Sequence, residues 1–245
     1  MLVLALDTTT RGGSCALARD GFVLREEGSD PAQPPAARLP GELIALLEHE
    51  DVALADVGVF AVATGPGSFT GLRIGIATMQ GLAVATGKPL IGISAFDALV
   101  AIAGSGTIYG RNPAQVGGAR SGHESGPTRR IAAWIDAWRG EVYAALYEDG
   151  REIEPPTVAR PEHLLQRLSR RDTLFTGDGA AAYADAITSA LANYARLADP
   201  VAPLLAGAIA QLATDAARTG QLPPPHAIRP LYVRRPDAEL SRGGR

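Results

Sequence analysis

The chain has a single cysteine, Cys15, so an intrachain disulfide is excluded and the composition fits a reducing compartment. Aromatic residues make up only 5% of a sequence that is 46% hydrophobic, so the core must be built from small and aliphatic side chains. Excess positive charge is missing as well: 23 Lys and Arg stand against 26 Asp and Glu, a net charge of −3. That leaves no electrostatic footprint for a direct grip on nucleic acid or an anionic membrane. No apolar run reaches the roughly 20 residues needed to cross a bilayer. The opening Met1-Leu2-Val3-Leu4-Ala5-Leu6-Asp7 lacks a basic leader and reads as a buried strand, not a signal peptide. A cytoplasmic protein with no membrane association is the expectation.

Catalytic signatures are equally scarce. His49, His123, His163 and His226 are never paired at i,i+3 or i,i+4 spacing. There is no HExxH, CxxC or GxSxG pattern, so neither a metal site nor an activated nucleophile has the residues it needs. Cys15 falls mid-strand, where a packed, inert thiol is expected.

What is present is an alternation of strand and helix signals. Residues 2 to 6 form an apolar strand, and Ser14 to Arg19 and Phe22 to Glu26 form two more around Asp20-Gly21, a hairpin turn pair. Residues 28 to 40 read as loop and Glu42 to His49 as an amphipathic helix. Val57 to Ala63 is a buried strand, Thr70 to Thr86 a helix, Pro89 to Ile93 a strand, and Ser94 caps a last helix to about Ala103. Residues 104 to 130, rich in Gly, Ser and Arg, carry no periodicity and read as a linker or insertion. The chain thus divides into a lobe over 1–103, a linker over 104–130 and a second lobe over 131–245, whose last helix is free to pack back on the first. In the second lobe, Pro161 to Ser169, Ala180 to Leu197 and Ala206 to Thr219 read as helices, with strands at Thr173 to Thr176 and Leu231 to Val233. The two halves repeat. Leu6-Asp7 matches Ile135-Asp136, Ala16-Leu17 matches Ala145-Leu146, and Asp20-Gly21 matches Asp149-Gly150, all at the same offset.

Four turns raise the question of phosphate or nucleotide binding. Asp7-Thr8-Thr9 ends the first strand; a carboxylate and hydroxyls there hold either a magnesium-bound phosphate or simply the turn's own backbone. Gly65-Pro66-Gly67-Ser68 leads from a strand into a helix, yet Leu72-Arg73 stand where a P-loop needs Lys then Ser or Thr, so the motif is at most vestigial. Here Ser68 or Thr70 caps the helix and Phe69 plugs the lobe. The second-lobe turn carries Trp138 where a phosphate loop wants glycine, and Thr176 to Ala180 reads as a sharp reversal. The helix after Gly71 has little bulk, with Gly71, Gly75, Ala77 and Gly81 along it. Interior glycines cost about 0.8–1 kcal/mol each, which makes sense where another helix packs very close, within the lobe or in another subunit.

Leu4-Ala5-Leu6-Asp7-Thr8-Thr9, the Gly65 to Gly75 stretch, and Ile135-Asp136-Ala137 with Arg139-Gly140-Glu141-Val142-Tyr143 together resemble the TsaB family, also called YeaZ. The resemblance implies an α/β, duplicated actin-like/sugar-kinase fold with two lobes. It also implies a non-catalytic partner of a TsaD-like transferase, which threonylcarbamoylates the tRNA adenosine beside the anticodon. A TsaE-like ATPase would join the assembly, and tRNA would be met only through the complex. No cofactor of its own is implied, though a nucleotide at the partner interface is compatible with the family, as is a homodimer when the partner is absent. The partner interface would lie on the first lobe, over Gly71, Ile74, Gly75, Ala77, Thr78, Gly81 and Leu82. A peptidase reading finds no support in these residues. The competing expectation is a small actin-like kinase or ATPase.

Overall fold

The computed structural model describes residues 1–105, 130–168, 170–220 and 222–234. The linker expected over 104–130 therefore lies almost wholly outside the described residues. The first half runs β1 (Leu2–Asp7), β2 (Ser14–Arg19), β3 (Phe22–Gly28), α1 (Pro35–His49), β4 (Val59–Gly65), α2 (Phe69–Thr86), β5 (Leu90–Ser94) and α3 (Ala95–Ser105). The second half runs β6 (Arg130–Asp136), β7 (Val142–Glu148), β8 (Arg151–Ala159), α4 (Pro161–Arg167), β9 (Thr173–Thr176), α5 (Asp178–Ala182), α6 (Ala184–Leu191), β10 (Ala195–Leu197) and α7 (Ala206–Arg218).

The first sheet has the order β3-β2-β1-β4-β5, and the second, read from its other edge, β8-β7-β6-β9-β10. In each half the first strand pairs antiparallel with the next and parallel with the strand that follows the first helix. Both hairpins carry the expected Asp-Gly turn, with Asp20, Gly21, Asp149 and Gly150 all at positive φ. That backbone twist suits a tight antiparallel turn. The duplication read from the sequence is thus repeated in the topology.

Side-chain alternation sorts β1 between two cores. Val3 and Ala5 enter a central cluster with Ala133 and Ile135 of β6, while Leu4 and Leu6 face an outer cluster with α1 and α2. Helices α3 and α7 lie in the central cluster through Ala98, Leu99, Ile209 and Ala213. Alanines on both sides of this layer allow close approach, as the scarcity of aromatics implied. The second outer cluster is built on Trp134 and Phe175, edge-on at 5.3 Å, with Leu164 and Ile187 from α4 and α6.

Helix α7 is anchored to the first sheet by its N-terminus. Ser14 Oγ accepts the Leu205 and Ala206 N–H groups at 3.2 and 3.0 Å, and Glu26 Oε1 accepts that of Gly207 at 2.7 Å. Residues of the first half therefore supply the cap that α7 lacks in its own sequence.

Four elements depart from expectation. Helix α1 starts at Pro35, not near Glu42: Pro35 fits a first turn, where no N–H partner is needed, and Pro40 is tolerated within the helix. Strand β8 went unread because Pro155-Pro156 interrupt it, but it is an edge strand, where a missing N–H is tolerated. The long helix expected over Ala180 to Leu197 is broken at Tyr183 (φ −117°) and ends at Ala192 (φ 47°) in a 3-10 turn and β10. Leu231 to Val233 form no strand, although the Leu231 N–H donates to Thr64 O at 2.7 Å.

Candidate functional site

The turn after β1 closes on itself. Thr9 N–H and Oγ1 both donate to Asp7 Oδ1, at 2.8 and 2.6 Å, and Thr10 Oγ1 donates to Oδ2 at 3.2 Å. Thr10 Oγ1 in turn accepts the Gly13 N–H at 3.1 Å. Asp7, Thr8 and Thr9 are buried. Burial pushes the Asp7 carboxyl above the ordinary carboxylate range, against the pull of these hydrogen bonds. The aspartate therefore serves the turn's own backbone and hydroxyls.

The turn after β4 then roofs this one. Ser68 N–H donates to Thr9 O at 2.9 Å and Thr8 Oγ1 donates to Gly71 O at 2.8 Å. A Cβ at Gly67 would stand 2.4 Å from Thr9 O, at Gly71 2.1 Å from Thr8 O, and at Gly75 2.2 Å from Thr8 Oγ1. Gly65, Pro66 and Gly67 are buried, and Ser68 Oγ caps α2 by accepting the Gly71 N–H at 3.2 Å. These glycines are needed because two backbones meet, and the space in which a phosphate would sit between the turns is filled by protein.

This geometry corrects the expected flat strip. Gly71 and Gly75 face the lobe's own β1–β2 turn, not outward. Ile74, Thr78 and Leu82 are half-buried, whereas Arg73, Ala77 and Gly81 are exposed, and a Cβ on Gly81 would meet nothing within 4 Å. Phe69 does not plug the lobe: it is 40% exposed, with its ring 5.1 Å from that of Tyr232 and the Arg73 guanidinium 3.8 Å above it. Tyr232 lies 159 positions from Arg73, and no sequence signal linked them.

Helices α1 and α2 are in contact and share one core cluster. On α1, Ala37, Pro40, Gly41 and Ile44 are exposed; on α2, Ala77, Gly81, Val84 and Ala85. This face of α1 was missed because its proline-rich start read as loop, though a run of Pro, Ala and Gly interrupted by one buried charge, Arg38, was the available signal.

The turn after β6 is built differently from its counterpart. Trp138 and Arg139 both take left-handed backbone, at φ 55° and 58°, and Asp136 Oδ1 accepts the Trp138 N–H at 2.9 Å. Arg234 from the C-terminal tail donates to Ala137 O at 3.0 Å and pairs with Glu141. The Thr176 to Ala180 reversal packs on β6, where a Cβ at Gly177 would stand 2.1 Å from Trp134 O. Between the halves lies a cleft of about 510 Å³ lined by Arg11, Gly12, Asp136 and Asp178, among others. Asp178 accepts the Asp136 N–H at 2.9 Å, and burial, more than its acidic neighbours, pushes its carboxyl up to about 6. Arg11 lies 3.9 Å from Asp136 and is largely exposed. An anion entering the cleft would thus meet two carboxylates and one loosely held cation. Among the described residues, no group of three or more His, Cys, Asp and Glu is placed to hold a metal ion, and no helix is long and apolar enough to cross a membrane.

Two copies of a five-stranded mixed sheet, each with its first helices outside and with α3 and α7 between them, define the actin-like ATPase and sugar-kinase class of fold. An activator of 2-hydroxyisocaproyl-CoA dehydratase from Clostridium difficile shares this fold at TM-score 0.52 and 13% identity, over 90% of this chain and 97% of its own. The family described as TsaD, tRNA N6-adenosine threonylcarbamoyltransferase, matches residues 36–241. The tRNA threonylcarbamoyladenosine biosynthesis protein TsaB of Escherichia coli is 33% identical over 177 residues, 69% of this chain and 67% of that protein. A Pseudomonas aeruginosa crystal structure, described as similar to peptidase YeaZ, superposes at TM-score 0.71 with 30% identity, over 95% of this chain and 99% of its own. The chain belongs to the TsaB (YeaZ) family, within that wider TsaD family, and the family takes part in tRNA threonylcarbamoyladenosine biosynthesis.

Proposed function

We propose that the protein is a non-catalytic subunit that binds and supports a TsaD-type transferase in threonylcarbamoylation of tRNA, and that the outward face of α1 and α2 is the docking surface. The observation that carries this reading is the face itself: two adjacent helices whose exposed middle positions are Ala, Gly, Pro, Ile and Val. Such a face permits helix–helix approach closer than the usual 8–10 Å or so. Its large exposed apolar members, Ile44 at 55% and Val84 at 70%, are poorly served by water. The turn at Asp7, closed on its own hydroxyls and roofed by the Gly67 and Gly71 backbone, counts against an independent kinase or ATPase. In this reading a TsaE-like ATPase and tRNA are reached through the complex, the protein works in the cytoplasm, and any nucleotide belongs to the interface with the partner. A second copy takes the same face when the partner is absent.

Gly81→Arg tests the reading with two readouts of opposite sign. The isolated chain should melt at the same temperature or slightly higher, since an exposed helical glycine costs up to about 1 kcal/mol. Co-elution with the TsaD-type subunit should be lost, and threonylcarbamoyladenosine should fall in cellular tRNA. A folded Gly81→Arg protein that still binds normally would remove α2 from the interface.

A further inference from the structure

We propose that Arg73 is the specificity-determining contact of this docking surface and that it receives a carboxylate of the partner protein. The inference rests on the docking reading above and supplies the partner's chemistry at one point of it. Arg73 is the only charged residue in the 18 of α2, and it is exposed. Its guanidinium carbon lies 3.8 Å from the centroid of the Phe69 ring, and its Nε donates to Tyr232 Oη at 3.1 Å. Tyr232 is itself delivered by a fixed tail. The neighbouring Leu231 N–H donates to Thr64 O at 2.7 Å, and Gln80 Nε2 donates to the carbonyls of Pro225 and Ile228 at 2.9 and 3.2 Å.

The consequence is a long side chain held in one plane. A stacked, hydrogen-bonded arginine has already lost much of the rotamer freedom that binding would otherwise cost. Only Nε is engaged; Nη1 and Nη2 have no hydrogen-bond or ion-pair partner among the described residues. Those two groups form the fork that matches a carboxylate. Other arginines of the chain direct theirs at internal acids: Arg38 at Glu42, Arg171 at Glu148, Arg196 at Asp172. Arg73 is instead oriented by two rings, Phe69 at 40% and Tyr232 at 39% exposure. Aromatic residues and arginine are the types that dominate interface energetics. A phosphate of nucleic acid fits less well. Binding to nucleic acid neutralises several phosphates with several cations, whereas α2 offers Arg73 alone, in a chain of net charge −3.

The experiment is calorimetry of the full chain with the TsaD-type subunit of its own organism, at low and high salt. Arg73→Gln should weaken binding by about 10- to 100-fold and flatten its salt dependence, with the melt of the isolated chain unchanged. Arg73→Lys should recover only part of the loss, because an ammonium lacks the fork. An Arg73→Gln protein with unchanged affinity and salt dependence overturns the inference. Gly81→Arg separates the two claims. If it leaves binding intact, the docking reading itself falls. If it abolishes binding while Arg73→Gln has no effect, the surface stands and the carboxylate does not. Should Arg73→Gln spare the TsaD-type subunit but weaken tRNA capture by the assembled complex, the group met is a phosphate. Should it alter only self-association, the occupant is a second copy. Either result also overturns the proposal.

Discussion

The two halves share one topology but not one surface. In the first, the exposed middle of α1 and α2 carries Pro40, Gly41, Ile44, Ala77, Gly81 and Val84. In the second, the exposed positions of α4 and α6 are Glu162, His163, Gln166, Arg167, Asp185, Thr188, Ser189 and Ala190. The second set is an ordinary solvated face. Both sets stand outside the same kind of sheet, each over its own buried hydrophobic cluster. The fold does not require the first face to be bare, so the difference points to something outside the fold. The internal turns make a similar point. Each β-turn-β unit could have held a phosphate, and each is closed by different residues: a roof of glycine backbone over Thr8 and Thr9 in the first half, Trp138, Arg139 and the Arg234 tail in the second. The two halves thus close equivalent turns by unrelated contacts.

The comparison breaks most sharply at the roof. Gly75→Leu would force a side chain through Thr8, where even a Cβ stands 2.2 Å from Oγ1. Overpacking of this kind costs 1–3 kcal/mol or more, and here the collision is with a buried turn, so about 3 kcal/mol or complete loss of folding is expected. Gly177→Ala in the second half should cost comparably, because φ is 106° and a Cβ would stand 2.1 Å from Trp134 O. Urea melts of the two variants check this. A Gly75→Leu protein as stable as its parent would mean that the roof yields, and that the turn is not closed as described.

The cleft gives a smaller, pH-dependent effect. Burial raises the Asp178 carboxyl to about 6, above its unfolded value. Between pH 4 and 6 or so the folded group keeps a proton that the unfolded one has lost, so stability falls as pH rises through that window. Below it the cost is absent, and above it the cost is complete. Asp178→Asn removes the charge and leaves an amide oxygen to accept the Asp136 N–H. It should stabilise the chain by about 1–3 kcal/mol above pH 6 and by almost nothing near pH 4. Thermal melts across that range decide it; a gain that is the same at both ends would place the carboxyl in solvent.

Much of this was legible from residue order alone. The Asp-Gly hairpins, the repeat of Leu6-Asp7 in Ile135-Asp136 and the Ser68 cap are local signals with local causes, and the structure repeats them. Which way a glycine faces is not local. Gly75 and Gly81 look alike in sequence, yet one meets Thr8 and the other open space, because the phase of α2 is fixed by a turn far earlier in the chain. The start of α1 was hidden by prolines, which punctuate a loop as readily as a first helical turn. The stack of Tyr232 on Phe69 depends on a tail whose course no periodicity announces.

The mildest test sharpens the comparison from the quiet side. Ser189 is exposed near the end of α6, over the second outer cluster. Ser189→Arg places on the second half the same side chain and charge that Gly81→Arg places on the first. Arginine is also the better helix former, so any change in stability should be a gain within about 0.5 kcal/mol. Nothing in the solvated face asks for a close neighbour, so affinity for the TsaD-type subunit should match that of the parent chain. The pair is informative because the two arginines differ only in which lobe carries them. If Ser189→Arg weakened binding as much as Gly81→Arg, general charge or bulk would explain both, and the bareness of the first face would lose its meaning. If only Gly81→Arg does so, the asymmetry between two copies of one fold is an asymmetry of partnership.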